Sequence, residues 1–137
     1  MTVPDRVRVS HAILDSLRAH RDRDRPLECC GLLLGRVDEI VSAIPANNEL
    51  ESPTRYRIAP ADHFAAIRTA RGRGLDVVGA YHSHPRSAAV PSATDRADAQ
   101  SDLLYVIIGA DATVGLELRG WRLVDGNFRE ITLVPVP

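Results

Sequence analysis

The sequence predicts a mixed α/β fold in which one mixed β-sheet is packed by two or three helices. Apolar runs at 29–35 and 103–108 have the length of buried strands. Several other segments alternate apolar and polar residues, which is typical of half-buried strands. Two segments, one after Ser10 and one from Pro60, combine a helical start signal with apolar residues at helical spacing. Strands and helices are therefore interspersed along the chain.

The N-terminal half is expected to contain one helix and several strands. Ser10 is a good N-cap, and Ile13, Leu14 and Leu17 then fall on one helical face. This helix should end in the charged run before Pro26. The predicted strands of this half are 7–9, 29–35, 37–44 and 55–58.

The C-terminal half begins with a second helix, because Pro60 suits the first turn and the glycines at 72 and 74 end the pattern. A third helix is expected to begin near Ser92. Asp125-Gly126 predicts a hairpin turn. The predicted strands of this half are 75–81, 103–108, 114–118, 121–124 and 128–134.

Length and composition predict one domain, 1–137, of ordinary globular type. Hydrophobic residues make up 45% of the 137 residues, and the formal net charge is -1. This balance predicts no broad electrostatic attraction to nucleic acid or to a membrane surface. No run approaches the roughly 20 apolar residues that cross a bilayer, and the N-terminus lacks a signal-peptide core. A cytoplasmic location is the resulting expectation.

The cysteines and three of the histidines have modest expected roles. Cys29 and Cys30 are adjacent, which disfavours a structural disulfide, so they are either packing residues or metal ligands. His11, His20 and His63 fall on predicted helices without a partner at ligand spacing, and we expect them to be surface or capping residues.

A candidate metal site lies where the predicted strand 75–81 ends. His82 and His84 are two residues apart, so strand alternation directs both rings to the same side. Asp95 follows eleven positions after His84. Two imidazoles and one carboxylate leave a fourth position for water, which is typical of catalytic zinc sites and not of structural ones.

Ser92 and Asp95 have a second interpretation, because Ser-x-x-Asp at the start of a helix resembles a capping box. A capping carboxylate faces its own helix end, whereas a metal ligand must point toward the histidines. From the pattern alone both interpretations stay open.

Glu28 is a charged residue directly before an apolar strand, where packing gives no reason for a carboxylate. If that strand lies beside the one that carries the histidines, Glu28 reaches the rim of the metal site. A glutamate that contacts the metal's water without binding the metal is the general base of zinc hydrolases.

The order Glu28, His82-Ser-His84, seven residues, Ser92, two residues, Asp95 resembles the signature of the JAMM (MPN+) metalloproteases. The match is complete at these positions. The surrounding segments are also similar to those of the family, so the resemblance covers nearly the whole chain. These segments are 26–35, 47–58 and 121–126.

The resemblance implies a JAB/MPN fold, a curved mixed sheet flanked by helices and related to cytidine deaminases. It implies that His82, His84 and Asp95 bind one Zn²⁺ with water as the fourth ligand. Glu28 would take a proton from that water and return it to the departing amine. Ser92 would help to stabilise the oxyanion of an amide under attack.

The chain resembles the short prokaryotic members, several of which act on the C-terminal tails of ubiquitin-like sulfur-carrier proteins. An extended tail could pair with a sheet edge near the site. Arg55, Tyr56 and Arg57 would then line the groove, or they form a plain exposed strand. Homodimers are common in the family.

Three alternatives accompany this interpretation. A zinc nucleoside deaminase would need H-x-E and P-C-x-x-C motifs, and the sequence has neither. A non-catalytic MPN scaffold would be expected to have lost ligands. A zinc amidohydrolase acting on a small peptide or a cell-wall amide keeps the same chemistry with another target.

Overall fold

The computed structural model describes residues 4–110 and 117–137, and within these ranges it has three helices and seven strands. The helices are α1 (His11–Asp24), α2 (Pro60–Gly72) and α3 (Ala93–Asp98). The strands are β1 (Arg6–Ser10), β2 (Cys30–Arg36), β3 (Glu39–Ala46), β4 (Asp76–Ser83), β5 (Leu104–Ile108), β6 (Leu118–Val124) and β7 (Asn127–Val136).

The strands form one mixed sheet in the order β1-β3-β2-β4-β5-β6-β7. Pairing is parallel between β1 and β3, β1 and β7, and β4 and β5, and antiparallel between the other neighbours. Because β1 pairs with both β3 and β7, the sheet closes on itself. The predicted curved mixed sheet flanked by helices is confirmed, and its closure is an addition to the prediction.

The two faces of the sheet pack against different helices. On one face Leu17 of α1 belongs to the same buried cluster as Tyr81 of β4. On the other face Ala66 of α2 packs in a cluster with Leu32 of β2 and Ala80 of β4. Burial of a leucine side chain stabilises a fold by roughly 1.5–3 kcal/mol, so these clusters hold the helices to the sheet. The side chains of β4 alternate between the two faces.

The predicted helix starts are confirmed. Ser10 caps α1, with its Oγ accepting a hydrogen bond from Ile13 N at 3.2 Å. Pro60 occupies the first turn of α2, where its missing N–H leaves no bond unmade. The predicted turn at Asp125-Gly126 is also confirmed, with φ values of 52° and 79°.

One strand prediction was wrong, and another lies mostly outside the described residues. The segment 55–58 is not a strand and has a single bridge between Asn48 and Ile58, because the closed sheet offers it no neighbouring strand edge. The predicted strand 121–124 is confirmed as part of β6, Leu118–Val124, which begins at the last residue of the predicted strand 114–118. Residues 114–116 of that prediction lie outside the described residues.

The three helices are all short, and none in the described part of the chain has the length and apolar character needed to span a bilayer.

Candidate metal centre

The pairing of β2 with β4 brings Glu28 and the two histidines onto one face of the sheet. Cys30 lies opposite His82 in this pairing. The ladder continues beyond this pair, because Ser83 N donates to Cys29 O at 3.1 Å. The same register carried two residues further places Glu28 opposite His84. Residues two apart on a strand share a face, so all three side chains lie on the α2 face.

Three potential ligand atoms converge at this face. His82 Nε2 lies 3.1 Å from His84 Nε2 and 3.1 Å from Asp95 Oδ2, and His84 Nε2 lies 3.0 Å from the same oxygen. Ligands at about 2.1 Å from a tetrahedral zinc ion lie roughly 3.4 Å apart. The three atoms therefore have nearly the spacing of three corners of such a site.

The hydrogen bonding of His84 is consistent with a role as a metal ligand. His84 Nδ1 lies 2.9 Å from Ala88 O, and a carbonyl oxygen only accepts, so Nδ1 carries the proton. In the neutral ring Nε2 then carries a lone pair that can bind a cation, whereas in the protonated ring the same nitrogen donates to Asp95 Oδ2. A hydrogen bond of this kind is how proteins commonly fix the orientation of a metal-binding histidine. The Nε2 atom of a neutral His84 is thus available as a metal ligand.

Asp95 is both a capping residue and part of the converging group, so the two interpretations of Ser92 and Asp95 are compatible. Asp95 N donates to Ser92 Oγ at 3.0 Å, and Ser92 N donates to Asp95 Oδ2 at 2.9 Å, which completes a capping box at the start of α3. The same Oδ2 faces both histidines. The cap therefore aims the carboxylate at the β4 face.

Charge is distributed unevenly over the three groups. Burial would raise the pKa of Asp95, but hydrogen bonds from His82 and His84 outweigh it and hold the pKa far below its usual range. Burial lowers the pKa of His82. Burial also acts to lower the pKa of His84, but its hydrogen bonds to Asp95 and Ala88 prevail and raise it. The site favours an ionised carboxylate with a neutral His82.

Glu28 is a buried carboxyl beside this group. It is 4% exposed, and its Oε1 has no hydrogen-bond partner within the described part of the chain. Burial raises its pKa to about 7, and the nearby Asp95 adds to the rise while His84 opposes it. A carboxyl that titrates near neutral pH can both accept and release a proton there.

Tyr56 contributes a contact that the sequence did not predict. Its ring stacks on the His82 ring, with centroids 4.4 Å apart and planes 19° from parallel. Asn48 holds the neighbouring backbone, donating to Arg55 O at 3.0 Å and accepting from Arg57 N at 3.1 Å. The alternation at 55–58 predicted a strand, and no local pattern predicts a contact with a residue so far along the chain.

A groove of about 480 Å³ begins at Tyr56 and runs along the same face of the sheet. Its floor includes Ala80, two residues before His82, and Tyr105 of β5. The predicted groove residues at 55–57 are therefore placed together beside the site. The lining comprises Leu32, Leu50, Arg55, Tyr56, Arg57, Ile58, His63, Ala80, Asp98, Gln100, Leu103 and Tyr105.

His20 corrects a prediction, because it is neither a surface nor a capping residue. It is 5% exposed, with Nδ1 2.7 Å from the hydroxyl of Tyr81 and Nε2 3.2 Å from Asp24 Oδ2. It faces the opposite side of the sheet from His82. His11 is exposed as predicted, and His63 is partly buried at the groove.

Cys29 and Cys30 are both buried and both free thiols. Burial raises the pKa of Cys29 to about 11 and that of Cys30 to about 12. Neither belongs to the group of possible ligands formed by His82, His84 and Asp95. Their structure agrees with packing and not with metal binding.

A family model described as prokaryotic homologs of the JAB domain matches residues 10–124. The match spans most of the chain and includes all five predicted site residues.

Relatives of known name cover most of the chain. A "Probable TtuB-protein conjugate cleaving protease" of Thermus thermophilus is 35% identical over 92% of this chain and 80% of its own length. A "CysO-cysteine peptidase" of Mycobacterium tuberculosis is 34% identical over 86% of this chain and 83% of its own. A "Desampylase" of Haloferax volcanii is 36% identical over 89% of this chain and 88% of its own length.

Solved structures share the fold. Protein DSY2949 from Desulfitobacterium hafniense has a TM-score of 0.85 at 26% identity and covers 95% of this chain and 92% of its own. A protein from Salinibacter ruber has a TM-score of 0.71 at 34% identity, with the same coverage. A JAB1/MPN domain protein from Archaeoglobus fulgidus has a TM-score of 0.62 at 17% identity over 96% of this chain and 97% of its own, which shows a shared fold alone.

Proposed function

Because the chain belongs to the prokaryotic JAB family, we propose that it is a zinc-dependent peptidase acting at the C-terminal tail of a ubiquitin-like sulfur-carrier protein. The observation that carries the proposal is the convergence of His82, His84 and Asp95 beside the buried carboxyl of Glu28. Family membership confirms the predicted resemblance, and the peptidase names of the relatives confirm the predicted enzyme class.

The donor set fits zinc. His82 Nε2, His84 Nε2 and Asp95 Oδ2 would hold the ion, with nitrogen and oxygen ligands that zinc accepts. When bound, zinc would supply a Lewis acid and lower the pKa of its water to about 7. Three protein ligands leave a position open for that water, as in other catalytic sites.

Glu28 is assigned the proton transfer. Its unpartnered Oε1 would accept a proton from the attacking water and pass it to the leaving amine. Ser92 is assigned to the oxyanion. Its Oγ already accepts from Asp95 N, so its hydroxyl proton is available to donate to the developing charge.

The tail is assigned to the groove that begins at Tyr56. The groove lies on the same face as the three ligands and could hold an extended chain leading to them. Since the sheet is closed, the expected pairing with a strand edge is replaced by contacts to the irregular segment 55–57. The names of the Thermus and Mycobacterium relatives, which refer to TtuB conjugates and CysO-cysteine, support this substrate class.

The decisive experiment incubates the zinc-loaded protein with a sulfur-carrier protein that carries a C-terminal extension and follows the masses of both products. We expect one cut in the tail, and no cut with zinc-loaded Glu28→Gln. An intact carrier, together with cleavage of small peptide amides, would favour the amidohydrolase alternative. No hydrolysis of either substrate would favour the scaffold alternative.

The remaining expectations stay predictions. They are the single domain 1–137, the cytoplasmic location, the lack of nucleic-acid and membrane partners, and homodimerisation.

A further inference from the structure

The two histidines of the candidate centre are oriented by different means. His84 has a hydrogen bond from Nδ1 to Ala88 O at 2.9 Å, the usual support of a metal-binding imidazole. His82 Nδ1 is buried and has no hydrogen-bond partner within the residues that the structure describes. His82 is 1% exposed, so bulk water does not replace the missing partner. The Nδ1 side of the His82 ring is therefore oriented by packing and not by a hydrogen bond.

Tyr56 provides a packing contact of this kind. Its ring lies almost parallel to the His82 imidazole at a centroid distance of 4.4 Å. Parallel stacking is a favourable arrangement of two aromatic rings. Rotation of the imidazole about χ2 would break the stack and turn Nε2 away from Asp95. The stack thus acts on the same torsion that a second hydrogen bond would fix.

Asn48 holds Tyr56 in place. The Asn48 side chain bonds the backbone on both sides of Tyr56, at Arg55 O and Arg57 N. The same amide donates to Glu28 O at 3.2 Å. One side chain therefore ties the backbone that presents Tyr56 to the backbone that presents Glu28.

We propose that Tyr56 is a positioning residue of the metal centre, which holds the His82 imidazole in its metal-binding orientation through ring stacking. The inference rests on the proposed metal site and adds a residue outside the JAMM signature to it. The aromatic ring is what matters, and the Tyr56 hydroxyl is dispensable.

The test compares Tyr56→Phe, which keeps the ring, with Tyr56→Leu, which keeps apolar bulk without it. Zinc affinity is measured by competition with a chelator, and folding is checked by circular dichroism. We expect Tyr56→Phe to remain within about twofold of the wild type and Tyr56→Leu to lose about 10-fold to 100-fold, the usual cost of removing the support of a metal ligand. Phe64→Leu makes the same ring-to-leucine change at an exposed site on α2 and should leave the affinity unchanged.

A second measurement needs no substitution. In the zinc-loaded wild-type protein, nuclear Overhauser contacts should join the ring protons of Tyr56 and His82. They should persist in Tyr56→Phe. This measurement decides the matter if Tyr56→Leu fails to fold.

Three results would overturn the inference: unchanged affinity in Tyr56→Leu, equal loss in Tyr56→Phe, or missing ring-to-ring contacts. Each of these leaves the proposed peptidase intact. A wild-type protein that binds no zinc would instead remove the proposed function, and this inference with it.

Discussion

Glu28 shows how a single side chain can be unfavourable for stability and suited to chemistry. It is buried, its Oε1 lacks a partner in the described part of the chain, and its pKa is raised to about 7. An acid whose pKa is higher in the folded than in the unfolded protein loses stability as the pH rises toward the folded value. For Glu28 that window runs from about pH 4.5 to about 7 in the metal-free protein.

Glu28→Gln should therefore have two opposite effects. We expect zinc to remain bound while turnover is lost, because the amide cannot accept the proton. In zinc-free protein the variant should be more stable than the wild type at pH 8 by up to about 3 kcal/mol, with little difference near pH 4.5. Urea unfolding at both pH values measures this, with the exposed Glu51→Gln as control. Equal free energies of unfolding for the two proteins at pH 8 would show that burial of the ionised Glu28 carboxylate does not lower stability.

Ser92→Ala tests the oxyanion role. Loss of one oxyanion donor typically lowers kcat by roughly 100-fold to 1000-fold. Zinc should stay bound, since Ser92 N still donates to Asp95 Oδ2. Ser92→Thr keeps both the hydroxyl and the cap and should retain most activity. If Ser92→Ala loses zinc in a metal analysis, the role of Ser92 is to cap α3 and not to stabilise the oxyanion.

His20 should make stability depend on pH. Burial lowers its pKa below 6.5, and the opposing attraction of Asp24 does not compensate. A histidine of this kind takes up protons more readily in the unfolded chain, so stability falls as the pH drops below about 6.5. We expect zinc-free His20→Gln to lose less stability than the wild type between pH 7.5 and pH 5.5 in urea unfolding. The prediction is contradicted if the free energy of unfolding changes with pH equally in His20→Gln and in the wild type.

At the scale of elements, the short helix α3 and the irregular segment 48–58 complete the site that β2 and β4 begin. The capping box turns the first residues of α3 so that Asp95 faces β4. Asn48 holds the segment 48–58 close to Glu28. Neither element has the long periodic pattern by which strands and helices are found in a sequence.

Within the segment 48–58, Arg55 should contribute to substrate binding and not to chemistry. Arg55 is exposed at the groove, and an exposed charge contact contributes at most about 1 kcal/mol. Arg55→Ala is therefore expected to raise KM for the carrier by up to about fivefold with kcat unchanged. Arg68→Ala, on the exposed side of α2, is the matched control. A lower kcat in Arg55→Ala would instead assign Arg55 a part in the reaction.

At the scale of the whole molecule, zinc should stabilise the fold because its three proposed ligands converge only in the folded chain. A ligand present at 100 times its dissociation constant stabilises the folded state by about 2.7 kcal/mol. The thermal unfolding midpoint should rise with zinc and fall with a chelator. His84→Ala should lose most of this shift. A full shift in that variant would place the stabilising zinc elsewhere.

The sequence predicted most elements of the fold because their signals are local. Ser10 and Pro60 mark helix starts, and Asp125-Gly126 marks a turn, through interactions within a few residues. The segment 55–58 alternates like a strand but has no strand to pair with, since pairing depends on distant neighbours. The same reason hid the burial of His20, which depends on Tyr81 of β4.

The spacing of Glu28, His82, His84, Ser92 and Asp95 could be read from the chain, and it identified the family. The spacing left open whether Asp95 caps its helix or faces the histidines, because both need the same residues. The folded chain does both, since one carboxylate oxygen can accept from the Ser92 N–H and still face two imidazoles. The contact of Tyr56 with His82 and the closure of the sheet through β1 and β7 depend on contacts between residues far apart in the chain, which no local pattern encodes.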